Sequence, residues 1–216
     1  MHTTHEETTD FNSKLQEISH IENGISHLKN AFQLLMTNTT GFKSIIQELT
    51  VSLKFLYNGN SPYYSLSSNM YNCYIQLEKL YSDFYENIKK LLTQLNELGN
   101  SYEYVDDLID KRAERKKVFE YYNEKLSKLN TKDEHYERNE TKYNKAQNEF
   151  IECHNQTYQS ILNVLSKKYT DINPVFNDFF RSNFNLYSKA SNLFIYANKN
   201  TSTVTPSSSS NKNIYY

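Results

Sequence analysis

The sequence predicts an all-α fold built from three long amphipathic helices, and three observations carry that expectation. Only four Gly and three Pro occur in 216 residues, too few for the frequent turns of compact β folds, whereas long helices exclude both residues. Apolar residues recur at alternating steps of three and four, the spacing that keeps one helix seam facing its neighbours. Interruptions of that pattern are confined to short segments and a terminal tail. With 38% hydrophobic residues, a chain of this length supports one sizeable core, or two small ones at most.

The first helix is read from Phe11. One seam position holds Phe11, Ile18, Ile25, Phe32, Ile46 and Leu53, and the other holds Ile21, Leu28, Leu35, Phe42, Leu49 and Leu56, with Lys14 and Thr39 as the breaks. Gly24 and Gly41 cost such a helix about 1 kcal/mol each, which packing along roughly 45 residues absorbs. The run Asn58-Gly59-Asn60-Ser61-Pro62 ends it and starts the next.

The second stripe runs through Met70, Tyr74, Leu77, Tyr81, Phe84, Ile88, Leu91, Leu95, Leu98, Tyr102, Val105 and Ile109 without a break. Arg112 and Lys116 then occupy seam positions before Phe119, Tyr122, Leu126 and Leu129 restore an apolar face. The span from residue 68 to 129 corresponds to about 90 Å of helix at ~1.5 Å per residue. A helix of that length must pack lengthwise against other long helices.

The third helix is expected to begin near Thr131 or Lys132 and to become apolar through Tyr143, Phe150, Thr157, Ile161 and Val164. Asp171-Ile172-Asn173-Pro174 should bend or briefly interrupt it, because proline removes a helical donor and clashes with the preceding turn. Val175, Phe176, Phe179, Phe180, Phe184, Tyr187, Leu193 and Phe194 continue it as a strongly aromatic segment. From Asn198 the chain turns Ser/Thr/Asn-rich and lacks the apolar content that offsets ordering entropy. The expected organisation is a flexible N-terminus over 1–10, a helical domain over 11–197 and a disordered tail over 198–216.

A net charge of −1 argues against strong non-specific nucleic-acid binding, so any basic surface must be local. Cys73 and Cys153 lie far apart and outside any CxxC pattern, which fits a reduced, cytoplasmic setting. The longest apolar run, Leu193 to Ala197, is far short of the roughly 20 residues that span a bilayer. The first ten residues lack the basic-then-apolar layout of a signal peptide. The glycosylation triplets at Asn38, Asn139, Asn155 and Asn200 are expected by chance in a chain this rich in Asn, Ser and Thr.

Catalytic motifs are missing from the sequence: no Walker loop, GxGxxG, HExxH, G-x-S-x-G or EF-hand loop occurs. His20 and His27 share a heptad position but no carboxylate cluster with ligand spacing joins them. Adjacent helical residues point about 100° apart, so Cys153 and His154 do not make a nucleophile–base pair; Cys153 is expected in the core and His154 in solvent. No catalytic residue, metal or cofactor is therefore expected, and the chain is not read as an enzyme.

One feature competes seriously with a purely structural reading. Between Lys111 and Lys145 there are eleven Lys/Arg and seven Asp/Glu, a net +4 that leaves −5 for the remainder. A basic run is ordinarily a solvated helix face, but Arg112 and Lys116 fall on the seam itself. Unpartnered burial there costs several kcal/mol, so either they reach water or a membrane, or carboxylates meet them.

The segment from Ile109 to Tyr122, a basic run leading into an apolar and aromatic-acidic stretch, resembles the second helix of the amphiphysin/RVS branch of BAR domains. Leu80-Tyr81-Ser82-Asp83-Phe84 and Lys142-Tyr143-Asn144-Lys145-Ala146-Gln147-Asn148-Glu149-Phe150 are similar to its aromatic-x-Asp-Phe and Lys-Ala-Gln segments. Asn173-Pro174-Val175-Phe176 and Tyr187 are closest to short members with no SH3 domain. Glu6, Glu7 and Asp10 depart from the basic insertion helix that some members fold on lipid.

The resemblance implies an elongated antiparallel coiled coil that pairs into a curved six-helix homodimer, or into a heterodimer with a related BAR protein. It implies a membrane-curvature sensing or shaping scaffold in endocytosis, membrane traffic or cortical actin organisation. Its partners would be an anionic phospholipid surface and small GTPases or actin regulators, with no nucleic acid. Localisation would be cytoplasmic and peripheral on membranes, at the cell cortex or endocytic sites. Lys111, Arg112, Arg115, Lys116 and Lys117 would face headgroups from the second helix, and Lys125, Lys128 and Lys132 would do so at the tip. The alternative is a cytosolic coiled-coil adaptor or cytoskeletal tether that does not touch lipid.

Overall fold

The protein is described by a computed structural model over residues 5–57, 59–61 and 63–201, with side chains over 9–57, 59–61 and 63–199. It folds as α1 His5–Leu56, α2 Tyr64–Ser127 and α3 Tyr136–Thr201, and no strand occurs among the described residues. Helix α1 starts before the apolar stripe does: residues 5–10 are helical, and Asp10 accepts a hydrogen bond from the Tyr158 hydroxyl of α3. Residues 198–201 likewise continue α3. The remaining ends, 1–4 and 202–216, lie outside the described residues, and with them most of the expected tail.

The helix boundaries follow local chemistry. The Ser61 side chain accepts from the Tyr63 amide at 3.2 Å, and the Ser61 carbonyl accepts from the Tyr64 amide at 3.0 Å. After α2, the Asn130 side chain accepts from the Lys132 amide at 3.2 Å and the Asp133 side chain from the His135 amide at 3.0 Å. Asp133 thereby closes a side-chain turn just ahead of α3, which starts at Tyr136, a turn later than the sequence suggests. Pro174 does not interrupt α3, which is helical on both sides of it. The proline is exposed, where water can satisfy the carbonyl that loses its helical donor.

The chain divides into two compact units, each taking one segment from every helix. Unit 1 contains residues 1–29 and 93–175, and unit 2 contains 30–92 and 176–216. In unit 1 the core is Phe11, Ile18, Ile25, Tyr102, Val105, Ile161 and Leu165. The contacts Phe11–Tyr158 and Glu17–Lys168 advance together along α1 and α3, which run parallel, whereas Leu108–Thr157 and Phe119–Phe150 run in opposite order along α2 and α3, which are antiparallel. The Thr157 hydroxyl is fully buried; it lies 2.8 Å from the Cys153 carbonyl and 3.2 Å from the Leu108 carbonyl of α2, so a polar seam position is satisfied. In unit 2, Ile46, Leu77 and Ala190 form the core, with Phe32 against Phe179 and Phe42 against Tyr81. Both units are therefore three-stranded antiparallel helical packings of one topology.

Of the two predicted seam positions of α1, the one that begins at Phe11 is the buried one, and the other is half-buried from Ile21 to Leu35 and exposed from Phe42 onward. Phe11, Ile18, Ile25, Phe32 and Ile46 are buried, and so is Thr39 at the apparent break, because its hydroxyl donates to the Leu35 carbonyl at 2.7 Å. Gly24 has open space around it and no positive φ. Two substitutions should therefore act in opposite directions in urea unfolding. Ile161→Ala, at a site 0% exposed, is expected to cost about 2–5 kcal/mol, and Gly24→Ala to add about 0.5–1 kcal/mol.

Candidate functional site

The basic residues singled out from the sequence lie on the end of unit 1 where α2 runs into α3, and they fall into two groups. Lys111, Arg115, Lys116, Lys117, Lys125, Lys128 and Lys132 are all exposed. Arg115 reaches across to Glu149 of α3 at 2.7 Å, whereas Lys116 pairs along its own helix with Glu120 at 3.6 Å. Lys128 pairs with Glu124, and that contact holds the Glu124 carboxyl below its ordinary pKa. Lys125 lies 5.9 Å from the Tyr121 ring, and Lys142 of α3 lies 5.9 Å from the Tyr122 ring. Such exposed pairs contribute only about 0.2–1 kcal/mol. An anionic surface can therefore draw these cations away at little cost.

Arg112 behaves differently. It is half-buried, with its guanidinium 3.9 Å from the Phe11 ring centre and 5.5 Å from that of Phe150. Its Nε donates to Nδ1 of His154 at 2.8 Å. Burial pulls its pKa below the ordinary arginine value. Within the chain, aromatic faces and an imidazole meet the cation at this seam position, in place of the carboxylates expected there.

His154 is accordingly not in solvent. It is half-buried and lies 5.2 Å from Phe11, 6.0 Å from Phe150 and 6.2 Å from Tyr158, ring centre to ring centre. Cys153 is only half-buried as well, so the expected division of roles between these two neighbours does not hold. His20 and His27 are exposed, and among the described residues no group of three or more His, Cys, Asp or Glu is placed to hold a metal ion. No helix is long and apolar enough to cross a membrane among the described residues.

A second surface was not singled out from the sequence. Among the described residues, seventeen of the twenty-two large apolar side chains left exposed belong to unit 2. Helix α1 contributes Leu34, Phe42, Ile45, Leu49 and Phe55, and α3 contributes Phe180 at 65%, Phe184 at 70% and Tyr187 at 64% exposure. The α3 signal was present in the sequence as a doubled stripe. Val175, Phe179, Leu186 and Ala190 face the core or its edge, while Phe176, Phe180, Phe184 and Tyr187 form a separate exposed row.

A model of the BAR domain matches residues 2–195. The chain belongs to the BAR-domain family. This is a class of membrane-curvature scaffolds that associate peripherally with membranes, not a class of enzymes. A BAR protein from Galdieria sulphuraria has a similar structure, with a TM-score of 0.66 at 13% identity over 89% of this chain and 98% of that one. At that identity the likeness speaks to the fold. The N-terminal I-BAR domain of IBARa from D. discoideum gives a TM-score of 0.45 at 12% identity over 88% and 87% of the two chains. No curated protein sequence matches this chain.

The two groups of basic residues in this BAR domain should separate experimentally. Arg112→Gln removes the cation from between two rings and its bond to His154, and is expected to cost about 1–3 kcal/mol in chemical denaturation. Arg115→Gln, Lys116→Gln and Lys117→Gln together are expected to cost under about 1.5 kcal/mol.

Proposed function

We propose that this BAR domain works as a dimeric membrane-curvature scaffold whose lipid contacts are the exposed cations of unit 1 and whose partner contact is the apolar surface of unit 2. The observation that carries the reading is that the two kinds of surface fall in different units. Exposed lysines and arginines cluster at the α2–α3 end of unit 1, whereas exposed aromatic and aliphatic side chains concentrate in unit 2. Exposed apolar side chains gathered in one unit in this number are ordinarily covered by a partner. Two copies of a three-helix unit pairing through it make a six-helix body, by a self-complementary contact, although a related BAR subunit would fit the same chemistry.

Lys111, Arg115, Lys116 and Lys117 are the proposed headgroup contacts on α2, with Lys125, Lys128 and Lys132 at the turn into α3. Arg112 is left out of that set because its guanidinium is committed to Phe11 and His154. A cation near an anionic leaflet contributes about 1 kcal/mol, and pairing doubles the number that reach one surface. The proposed setting is the cytoplasmic face of the cell cortex or of endocytic and trafficking membranes, where small GTPases and actin regulators would be the protein partners.

Vesicle co-sedimentation tests the lipid role. The protein is expected to pellet with anionic vesicles at low salt and to be released as salt rises. A Lys111→Gln, Arg115→Gln, Lys116→Gln, Lys117→Gln variant should lose at least about ten-fold in affinity, since four charges of roughly 1 kcal/mol each are removed. Wild-type protein that ignores anionic vesicles would support a cytosolic adaptor instead, and a variant that binds them as the wild type does would remove these four residues from the lipid contact.

A further inference from the structure

Where α1 faces α2 in unit 1, Glu22, Ile25, Ser26 and Lys29 of α1 and Gly99, Tyr102 and Glu103 of α2 line a half-open cavity of about 250 Å³. Beside it, the antiparallel register that sets Lys29 over Gly99 brings Glu22, two turns back on α1, opposite Asp106, two turns further along α2, where the two carboxyl groups come within reach of a mutual hydrogen bond. Two carboxyl groups can bond to each other only if they share a proton, because an ionised carboxylate is solely an acceptor. The proposed membrane role makes no use of this contact, and the contact stands whether or not the protein binds lipid.

The surroundings favour the shared proton. Glu22 is half-buried; loss of hydration first, then the charge of Asp106 and that of Glu103, push its pKa from 4.5 up to about 7. The cation lining the cavity is Lys29, whose ammonium nitrogen sits over Gly99, 2.6 Å from where a Cβ would stand. From α3, Lys168 and Asp171 act on this region through Tyr102, but Lys168 is itself paired with Glu17. Tyr102 offers Glu22 a second partner. It is 1% exposed, and its hydroxyl has no hydrogen-bond partner, although Glu22 is near enough for its charge to raise the pKa of that hydroxyl. An ionised Glu22 repelled by Asp106 would give this orphan donor an acceptor.

We propose that Glu22 and Asp106 form a proton-operated clasp between α1 and α2 of unit 1, closed while they share a proton and released when Glu22 ionises and turns to the Tyr102 hydroxyl or to water. Because the folded-state pKa lies above the ordinary value, the folded chain holds a proton that the unfolded chain gives up. The contribution to stability is full below about pH 4.5 and is lost as pH rises through about 7. The clasp therefore tightens on mild acidification.

The test uses the full chain with ¹³C-labelled glutamate side chains. The Glu22 carboxyl, identified as the resonance missing from Glu22→Gln, is expected to titrate with a midpoint near 7, and Asp106→Asn to move that midpoint down by at least about one pH unit by removing a neighbouring charge. Amide exchange corrected for intrinsic rates should be faster at pH 8 than at pH 6 across residues 15–29 and 98–110 in the wild type. In Glu22→Gln, which keeps a neutral side chain there, that difference should vanish. A Glu22 midpoint near 4.5, or a pH difference in exchange that persists in Glu22→Gln, overturns the proposal. If Glu22→Gln does not fold, the wild-type titration, assigned through the resonance that Asp106→Asn shifts, decides by itself.

Discussion

A helix of 64 residues carrying an apolar stripe along its length cannot bury that stripe alone, and this constraint governs the rest of the molecule. The stripe on α2 from Leu77 to Leu108 is buried because α1 and α3 lie alongside it. Each helix supplies a segment to both units, so continuous heptad spacing on every helix is a requirement of the fold. Most of the stability of such helices comes from packing and not from intrinsic propensity. Exposed glycines at 24 and 41 and an exposed proline at 174 are accordingly tolerated within the helices.

The same constraint decides what happens to charge placed on the seam. Arg112 cannot leave α2 without opening the packing of Phe11 and Phe150, and it cannot remain there without partners. Its planar guanidinium resolves the conflict by lying on ring faces while donating to His154, a solution open to arginine and poorly available to lysine. Lys116, one helical turn further along, remains exposed and pairs with Glu120 on its own helix. Two residues that look equivalent in the heptad frame therefore do different work. One fastens three helices together, and the other is available to a surface.

The heptad frame made the helices, their order and most of the core legible from the sequence, because burial of a stripe is a local, periodic signal. Pairwise chemistry between distant residues was not legible. His154 was expected in solvent because nothing near it in sequence suggests Phe11 and Arg112 as neighbours. The turn that Asp133 makes ahead of α3 was hidden by the equally suitable Asn130. Periodicity also identifies an apolar face without saying what covers it. Ile21, Leu28 and Leu35 in one seam position are half-buried, whereas Phe42, Leu49 and Leu56 at the equivalent positions further on are exposed. The difference emerges only when the exposed side chains of unit 2 are seen together, and it is the strongest reason for assigning that unit a partner.

The central claim is that a second copy covers those side chains, and the mass of the protein in solution tests it most directly. Sedimentation equilibrium at micromolar concentration is expected to give twice the chain mass of 25.6 kDa. Phe180→Asp with Phe184→Asp, both highly exposed in the single chain, should give a helical monomer, because a buried carboxylate without a partner is costly at an interface. A wild-type protein that remains a well-behaved monomer of one chain mass would contradict the account.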